Sequence, residues 1–382
     1  MKILFLVYHG FSEASGITKK IRAQVKGLQQ NGHDVRLCYY DYDSRGHRCR
    51  FVDGHVLRDY GTGLRAALLQ RTGLSCVARY CEREHIDLVY ARCFQNASPW
   101  LIALFSRLRR QGIRSVTEVP TFPYDQEFVS TTYLPSRLAL IADKLFRRRL
   151  YSLMQAMVTF SDATEIFGCR TIRISNGVDA DTLPLHHYTA PPDGSLHLIA
   201  VAEVHFWHGL DRVIAGMGEY AIRHEGKGDG RRLVLHIVGG VAPSEMTGTA
   251  HAPGFSPLIE HYHLDKQVVF HGQLFGSALN DVFNQCCFAI GSLGRHRSGI
   301  TVIKTLKNRE YATRGLPFVY SEQDSDFDDR PYVLHAPADE SPLDMDQVVS
   351  FIQRNRLKPE EIRATVEHLS WKEQMRLVTE QV

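Results

Sequence analysis

Short apolar runs alternate with helical periodicity along the whole chain. The apolar run at residues 3–8 predicts a buried strand, and the next apolar positions recur at the spacing of one helix face. Those positions are Ile17, Ile21, Val25 and Leu28, before a stop at Asn31-Gly32. Further strands are predicted at 35–39, 86–90, 116–119 and 157–160, and helices at 100–110 and 137–154. This alternation is typical of a parallel sheet covered by helices on both faces.

The alternation pauses at residues 183–195, where several prolines and a glycine predict a linker, and then begins again. Strands are predicted at 196–204, 233–238, 268–271, 288–291 and 317–320, and a helix at Leu210, Val213, Ile214 and Met217. We therefore expect a Rossmann-like domain at 1–182 and a second one at 196–358. Two such sheets would form a cleft between their carboxyl ends, where nucleotides bind in doubly wound folds.

The last segment, residues 359–382, has a strongly helical pattern. Ile362, Val366, Leu369 and Trp371 share the predicted buried face. We expect this segment to serve packing rather than chemistry.

Composition excludes several classes of protein. The 382 residues suggest two to three domains at about 150 residues each. A content of 44% hydrophobic and 23% charged residues disfavours disordered, collagenous and membrane-spanning chains. The first apolar run is too short for a signal peptide, and no run reaches the roughly 18 apolar residues of a spanning helix.

The eight cysteines are scattered and form no CxxC pair, which favours a reducing cytoplasm over a disulfide scaffold. Cys76, Cys81 and His85 lack the spacing and the fourth ligand of a zinc site, so we expect no metal.

The net charge of +3 conceals an uneven distribution. Residues 1–182 carry 26 basic and 17 acidic side chains, whereas residues 183–382 carry 19 and 25. A basic island, residues 295–314, lies within the acidic half. It comprises Arg295, Arg297, Lys304, Lys307, Arg309 and Arg314, with Glu310 as its single acid. A solvated basic face is one explanation; the other is a diphosphate clamp, since arginine and lysine both bind phosphate oxygens.

Lys307, Glu310 and Arg314 share one face of the helix predicted behind this island. Glu310 would then accept hydrogen bonds from ribose hydroxyls, or else form an intrahelical ion pair with Lys307 or Arg314. His205, Trp207 and His208 follow the first strand of the second half, where they could hold a phosphate or stack on a ring; structural histidines with internal hydrogen bonds are the alternative.

Two places in the first half are further candidates. The loop at 10–16 joins a strand to a helix, so Gly16 could border an anion site at a helix start, although a structural turn is the simpler explanation. Glu118 and Tyr124 lie in a proline-stiffened segment at a strand end, a position that often carries binding groups; a plain surface loop is the alternative.

Taken together, these motifs resemble the retaining, nucleotide-sugar-dependent glycosyltransferases with two facing Rossmann-like domains, the GT-B fold, of the group 1 or family 4 type. The resemblance extends over nearly the whole chain. It rests on the Gly16 loop, 174–179 (ISNGVD), 202–212, 306–311 (LKNREY) and 315–317 (GLP). A bacterial branch of the family is similar at Trp207-His208-Gly209-x-Asp211-Arg212.

This resemblance implies transfer of a glycosyl group from a nucleoside diphosphate sugar, with a uridine diphosphate sugar as the expected donor and no other cofactor. It implies that Glu310 binds the ribose, that Gly16, His205, Trp207 and Arg297 contact the donor, and that His208, Arg295 and Lys307 are catalytic. Glu203 and His208 stand where the family has an arginine and a lysine, and Val302 stands where it has an earlier glutamate. We expect His208, Arg295, Arg297 and Lys307 to supply the missing positive charge. The last helix would pack back on the first domain.

The acceptor would lie against the first domain, with Glu118 and Tyr124 as contacts. A saccharide or a lipid-linked saccharide in bacterial cell-surface polysaccharide assembly is the expected acceptor. The basic side chains at 107–114 and 144–149 could contact an anionic membrane at the inner face of the cell membrane; a helix with a solvated basic face and a buried apolar face is the alternative.

A sugar-nucleotide 2-epimerase and an inactive nucleotide-sugar-binding scaffold are the other functions considered. Nucleic-acid binding is disfavoured, because no aromatic residues are interleaved with the basic clusters.

Overall fold

The structure is a computed structural model that describes residues 1–11, 16–92, 97–120, 122–125, 134–228, 230–248 and 252–382, without the side chains of 134–138. The chain divides into two compact units. Unit 1 comprises Met1–Gly177 and Leu369–Val382, and unit 2 comprises Val178–His368. The predicted first domain extended to 182, so the division falls a few residues earlier than that prediction.

Unit 1 contains a mostly parallel sheet of order β4-β3-β2-β1-β5-β6-β7-β9-β8. Its strands are β1 (Lys2–Leu6), β2 (Asp34–Tyr42), β3 (Arg48–Val52), β4 (His55–Asp59), β5 (Leu88–Arg92), β6 (Arg114–Val119), β7 (Ala156–Thr159), β8 (Glu165–Ile166) and β9 (Cys169–Arg173). The pairs β2–β3, β3–β4 and β8–β9 are antiparallel. The strands predicted at 3–8, 35–39, 86–90, 116–119 and 157–160 are all present to within a few residues.

Helices cover this sheet on both faces. They are α1 (Gly16–Gln30), α2 (Gly63–Thr72), α3 (Ser75–Arg83), α4 (Pro99–Arg110), α5 (Leu134–Tyr151) and the C-terminal helix of the chain, Trp371–Glu380. The C-terminal helix packs directly on α1. A Cβ at Gly27 would lie 2.5 Å from the carbonyl oxygen of Trp371, so the absence of a side chain there permits the close approach of the two helices.

Unit 2 contains a fully parallel sheet of order β12-β11-β10-β13-β14-β15. Its strands are β10 (Leu196–Val201), β11 (Leu233–Val238), β12 (Val268–Gly272), β13 (Phe288–Ile290), β14 (Phe318–Tyr320) and β15 (Val333–His335). Its helices are α6 (Leu210–His224), α7 (Pro243–Thr247), α8 (Phe255–His261), α9 (Gly276–Gln285), α10 (Leu306–Arg314), α11 (Met345–Arg354) and α12 (Pro359–Ala364); the C-terminal helix of unit 1 is α13. Counted within the unit, the strand order is 3-2-1-4-5-6, which is the Rossmann order.

The prediction of two Rossmann-like α/β units is therefore confirmed. The segment predicted as one helix at 359–382 is interrupted: α12 belongs to unit 2, whereas α13 belongs to unit 1. Ile362, Val366, Leu369 and Trp371 are all buried, as their spacing indicated. In the described part of the chain, every helix is too short or too polar to span a bilayer.

Candidate active site

The two loops that carry most of the predicted donor-binding residues lie side by side in unit 2. One follows β10 and the other follows β13, and these strands are neighbours at the point where the strand order reverses. Leu293 N–H donates to the carbonyl of His208 at 3.0 Å, which joins the loops directly. Gly209 has a φ of 65°, and a Cβ on it would lie 2.7 Å from the carbonyl carbon of Leu293. Ligands bind at this reversal in open parallel sheets, so the geometry places the predicted residues at the expected edge.

Arg297 and Arg212 donate hydrogen bonds that join these loops to neighbouring segments of unit 2. Arg297 donates to both carboxylate oxygens of Asp211 at 2.9 and 2.8 Å, and also to Glu340 and the carbonyl of Phe206. Arg212 is buried and donates to backbone carbonyls, including that of Ser341 at 2.6 Å. A diphosphate would have to compete with these two carboxylates for the guanidinium of Arg297, and the role of Arg297 in donor binding stays a prediction.

His208 is buried beside the predicted clamp and is neutral. Its Nδ1 accepts the backbone N–H of His205 at 3.0 Å. Burial lowers the pKa of His208 well below its ordinary value, and the nearby cations Lys307 and Arg295 lower it further. This environment disfavours a positive charge on His208, and its role at a diphosphate stays a prediction. With Nδ1 accepting, the neutral ring carries its proton on Nε2 and can act only as a hydrogen-bond donor there.

Arg295 and Lys307 form the cationic part of the site. The guanidinium of Arg295 lies 5.5 Å from the ring centroid of Trp207, and Trp207 stacks on His205 with centroids 4.3 Å apart. Burial, together with the nearby charge of Arg295, lowers the pKa of Lys307 to about 7. The two cations are close enough to interact electrostatically, which is the arrangement a multiply charged anion would stabilise.

The remaining residues of the basic island hold α10 in place. Arg309 is fully buried and donates to Asp324 Oδ1 at 2.9 Å, and Tyr311 donates to the carbonyl of Ile290 at 3.1 Å. Arg314 Nε donates to Glu310 at 3.0 Å. The intrahelical ion pair considered for Glu310 is therefore present. The Glu310 side chain is still 30% exposed, so a ribose could contact its carboxylate.

Sequence reasoning missed Glu322, which follows β14. Its side chain is buried, and neither carboxylate oxygen has a hydrogen-bond partner in the described part of the chain. Burial raises the pKa of Glu322 to about 7, whereas Arg295 and Lys307 oppose that rise. The signal available in the sequence was its position, an acidic residue just after a predicted strand end.

The acceptor candidate Glu118 lies in unit 1 and is fully buried at the end of β6. Tyr90 and Gln24 donate to its Oε2 at 2.7 and 2.6 Å, and Lys20 Nζ and Arg92 Nε lie 3.6 and 3.7 Å from its Oε1. Burial would raise the pKa of Glu118, but these partners hold it below its ordinary value. The face of α1 is shifted from the predicted one, because Lys20 and Gln24 are buried while Ile17 is 46% exposed.

Tyr124 and Gly16 also lie in unit 1. Tyr124 is buried and donates to Asp143 Oδ2 at 2.9 Å. Gly16 begins α1, and the preceding part of its loop, residues 12–15, lies outside the described residues. Both Glu118 and Tyr124 are buried and already have hydrogen-bond partners within unit 1. Contact of these side chains with an acceptor stays a prediction.

Two other features do not form part of the candidate site. Among the described residues, Asp43, Cys49 and Asp59 converge as metal ligands would, but Arg45 donates to both aspartates at 3.0 and 3.1 Å. A cavity of about 250 Å³ lies at the amino edge of the unit 2 sheet, lined by Tyr220, His224, Arg231 and neighbours. It is remote from the strand reversal, where the chemistry is concentrated.

Comparison with known protein families gives one match, which lies in the first unit. Residues 15–166 match the family model of the glycosyl transferase 4-like domain. The match covers 152 of the 382 residues of the chain. A search of curated proteins finds no match.

Several solved structures share the fold of this chain over nearly its whole length. HepE of Anabaena, crystallised with UDP-glucose, is 14% identical, with a TM-score of 0.58 and full coverage of both chains. The catalytic domain of starch synthase IV from Arabidopsis thaliana, bound to ADP and acarbose, is 11% identical, with a TM-score of 0.58 and coverage of 99% of this chain and 98% of that one. UDP-GlcNAc 2-epimerase from Neisseria meningitidis, bound to UDP-GlcNAc, is 11% identical, with a TM-score of 0.52 and coverage of 100% and 99%. The predicted GT-B fold and the resemblance to group 1 or family 4 glycosyltransferases are confirmed.

Proposed function

We propose that the protein is a glycosyltransferase that moves a sugar from a nucleoside diphosphate sugar to an acceptor hydroxyl. The observation that carries the proposal is the pair of cations, Arg295 and Lys307, beside two joined loops at the strand reversal of a Rossmann sheet. The glycosyl transferase 4-like domain supports transfer rather than another use of the same fold. A uridine diphosphate sugar is the proposed donor.

The mechanism follows from where charge develops. When the bond from the sugar to the diphosphate breaks, the β-phosphate oxygen gains negative charge, and groups already oriented toward it stabilise that charge most. Lys307 and Arg295 supply positive charge, and neutral His208 supplies an N–H donor. In this proposal these side chains act without a metal ion, and the sugar keeps its anomeric configuration.

Replacing Glu310 by Gln should weaken nucleotide binding about tenfold to a hundredfold. A hydrogen bond to a charged group contributes about 1.5–3 kcal/mol, and the amide keeps an oxygen that can accept from Arg314, so folding should persist. Calorimetric titration with uridine, guanosine and adenosine diphosphates measures the effect and identifies the base.

The matched control is Glu260→Gln on exposed α8, which should bind like the wild type. Equal affinities of all three proteins would contradict the ribose contact. Incubation of the wild type with sugar nucleotides and no acceptor tests the alternative enzyme, since conversion to a 2-epimer would show an epimerase. Binding without turnover on any acceptor would indicate a scaffold.

We further propose that α5 contacts an anionic membrane and brings a lipid-linked saccharide acceptor to unit 1. Ile141 and Leu145 are 64% and 73% exposed, and Lys144, Arg148 and Arg149 are exposed on the same helix. The alternative of a fully buried apolar face does not hold for these two side chains, although Leu140 and Leu150 are buried. An exposed stripe with both apolar and basic groups is the chemistry that anionic lipid surfaces attract.

The double variant Ile141→Ser, Leu145→Ser should lose most of its sedimentation with phosphatidylglycerol vesicles, because each apolar side chain contributes insertion energy. Ile222→Ser in unit 2 is the control, since Ile222 is equally exposed at 62% but lies on another helix. If the wild-type protein does not pellet with these vesicles at low salt, the proposed membrane contact is wrong.

A further inference from the structure

Glu322 is a buried carboxylate with an unmet requirement for hydrogen-bond donors. It is 4% exposed, and both oxygens lack a partner among the described residues. Leaving such a group unpaired costs free energy, so a native structure that keeps one usually has a use for it. The inference developed from it rests on the proposed function.

The main chain on both sides holds Glu322 in place. Ser321 N–H donates to the carbonyl of Ser292 at 3.1 Å, which ties the segment to the loop after β13. Gln323 N–H donates to the carbonyl of Thr301 at 2.8 Å and its carbonyl accepts from Ile303 N–H at 3.0 Å. The carboxylate is therefore positioned by the backbone, before any ligand arrives.

Further unpaired oxygens border the same loops. Ser292 Oγ, Asn308 Oδ1 and Thr305 Oγ1 also have no partner in the described chain, and all three side chains are buried. A Cβ on Gly291 would lie 3.1 Å from Asn308 Oδ1, which shows how closely α10 approaches the end of β13. Buried oxygens that accept hydrogen bonds fit a ligand rich in hydroxyl donors.

Charge indicates which part of the donor would reach Glu322. Arg295 and Lys307 are the cations that interact with it, and the diphosphate would compete for both. In its ionised form the carboxylate repels phosphate oxygens, so Glu322 is poorly suited to bind the diphosphate itself. Two groups with hydroxyls flank the diphosphate, the ribose and the donor sugar. Because the ribose is assigned to Glu310, the hydroxyls of the donor sugar are the hydrogen-bond donors that remain for Glu322.

We propose that Glu322 accepts hydrogen bonds from hydroxyl groups of the donor sugar and so selects among donor sugars. Glu322 lies in the loop after β14. It is therefore not part of the motif at 306–311 on α10, on which the family resemblance rests. A site built to pair with a hydroxyl rejects an analogue that lacks it, because the carboxylate then stays buried and unpaired. Donors deoxygenated at the contacted position should react tenfold to a hundredfold more slowly.

The test compares a nucleotide with its sugar ester. Affinities of the wild type and of Glu322→Gln are measured calorimetrically for UDP, GDP and ADP and for the corresponding glucose esters, using the base that the wild type binds most tightly. We expect Glu322→Gln to bind the diphosphate at least as tightly as the wild type, because a negative charge beside the cations is removed. We expect its affinity for the glucose ester, or kcat/KM where turnover is measurable, to fall tenfold to a hundredfold.

Asp329→Asn, an exposed acid of the same segment, is the matched control and should change neither affinity. Thermal unfolding of Glu322→Gln near the wild-type temperature shows that the fold is intact, and Glu322→Asp should recover part of the loss. Equal changes toward the diphosphate and the glucose ester, or no change, would overturn the assignment of Glu322. Wild-type protein that binds none of these nucleotides would instead overturn the proposed function, so the two failures are distinguishable.

Discussion

Replacing Lys307 by Met should lower kcat/KM for sugar transfer by about two to three orders of magnitude. Removal of one preorganised group that stabilises developing negative charge costs about 10²–10³ in rate. Methionine keeps an unbranched stem of similar length, so packing in the first turn of α10 should persist. Steady-state kinetics with the donor identified by calorimetry measures the effect.

The same side chain predicts a pH dependence of donor binding. In the protein without nucleotide, burial and the neighbouring Arg295 hold the pKa of Lys307 at about 7. A bound diphosphate must raise this pKa, because its negative charge favours the charged form of the lysine. Between these two pKa values binding takes up a proton, so nucleotide affinity should fall by about tenfold per pH unit above pH 7.

Lys227→Met, which removes an exposed lysine of the same unit, provides the comparison and should keep the wild-type rate and pH profile. A Lys307→Met protein with an unchanged rate would show that Arg295 alone holds the leaving group. An affinity that is constant from pH 7 to pH 9 would contradict the assigned titration.

Buried strands were predictable because their apolar runs must be covered on both faces. The hairpin of β3 and β4 was missed, although Asp53-Gly54 lies between two alternating segments and is a strong hairpin signal. Both residues have positive φ, 48° and 84°, as a tight turn of this type requires. The sequence therefore carries the information for this hairpin in Asp53 and Gly54.

The candidate site was predictable only in part, because charge counting does not distinguish ligand-binding arginines from structural ones. Arg297 and Arg309 belong to the basic island, yet each is neutralised by carboxylates that lie far away in the sequence or in a different loop. Glu322 was missed for the converse reason: it lies in an acidic segment that looks solvated, and tertiary packing alone buries it. On α1, apolar spacing could not reveal that Lys20 and Gln24 turn inward to satisfy buried Glu118.

Replacing Arg309 by Met should destabilise unit 2 by about 3–5 kcal/mol. Arg309 and Asp324 are both fully buried, and removal of one partner leaves a buried charge without compensation. Arg309 also donates to Asp326 and to the carbonyl of Thr305 at 3.0 Å, so the variant loses its ion pairs with the segment after β14 and leaves Asn308 as the remaining side-chain donor to Asp324. Urea denaturation of the full chain, followed by circular dichroism, measures the loss.

A second substitution distinguishes the contribution of the Arg309–Asp324 ion pair to stability from that of the other contacts of Arg309. Arg309→Met combined with Asp324→Asn removes both charges and should recover a substantial part of the stability, since an uncharged amide costs less to bury than an unpaired carboxylate. Arg223→Met breaks ion pairs with Glu219 and Asp346 that are about half exposed, so it should have little effect. If Arg309→Met were no less stable than Arg223→Met, the buried pair would not be what holds α10 against the loop, and the position of Lys307 and Glu310 would need another explanation.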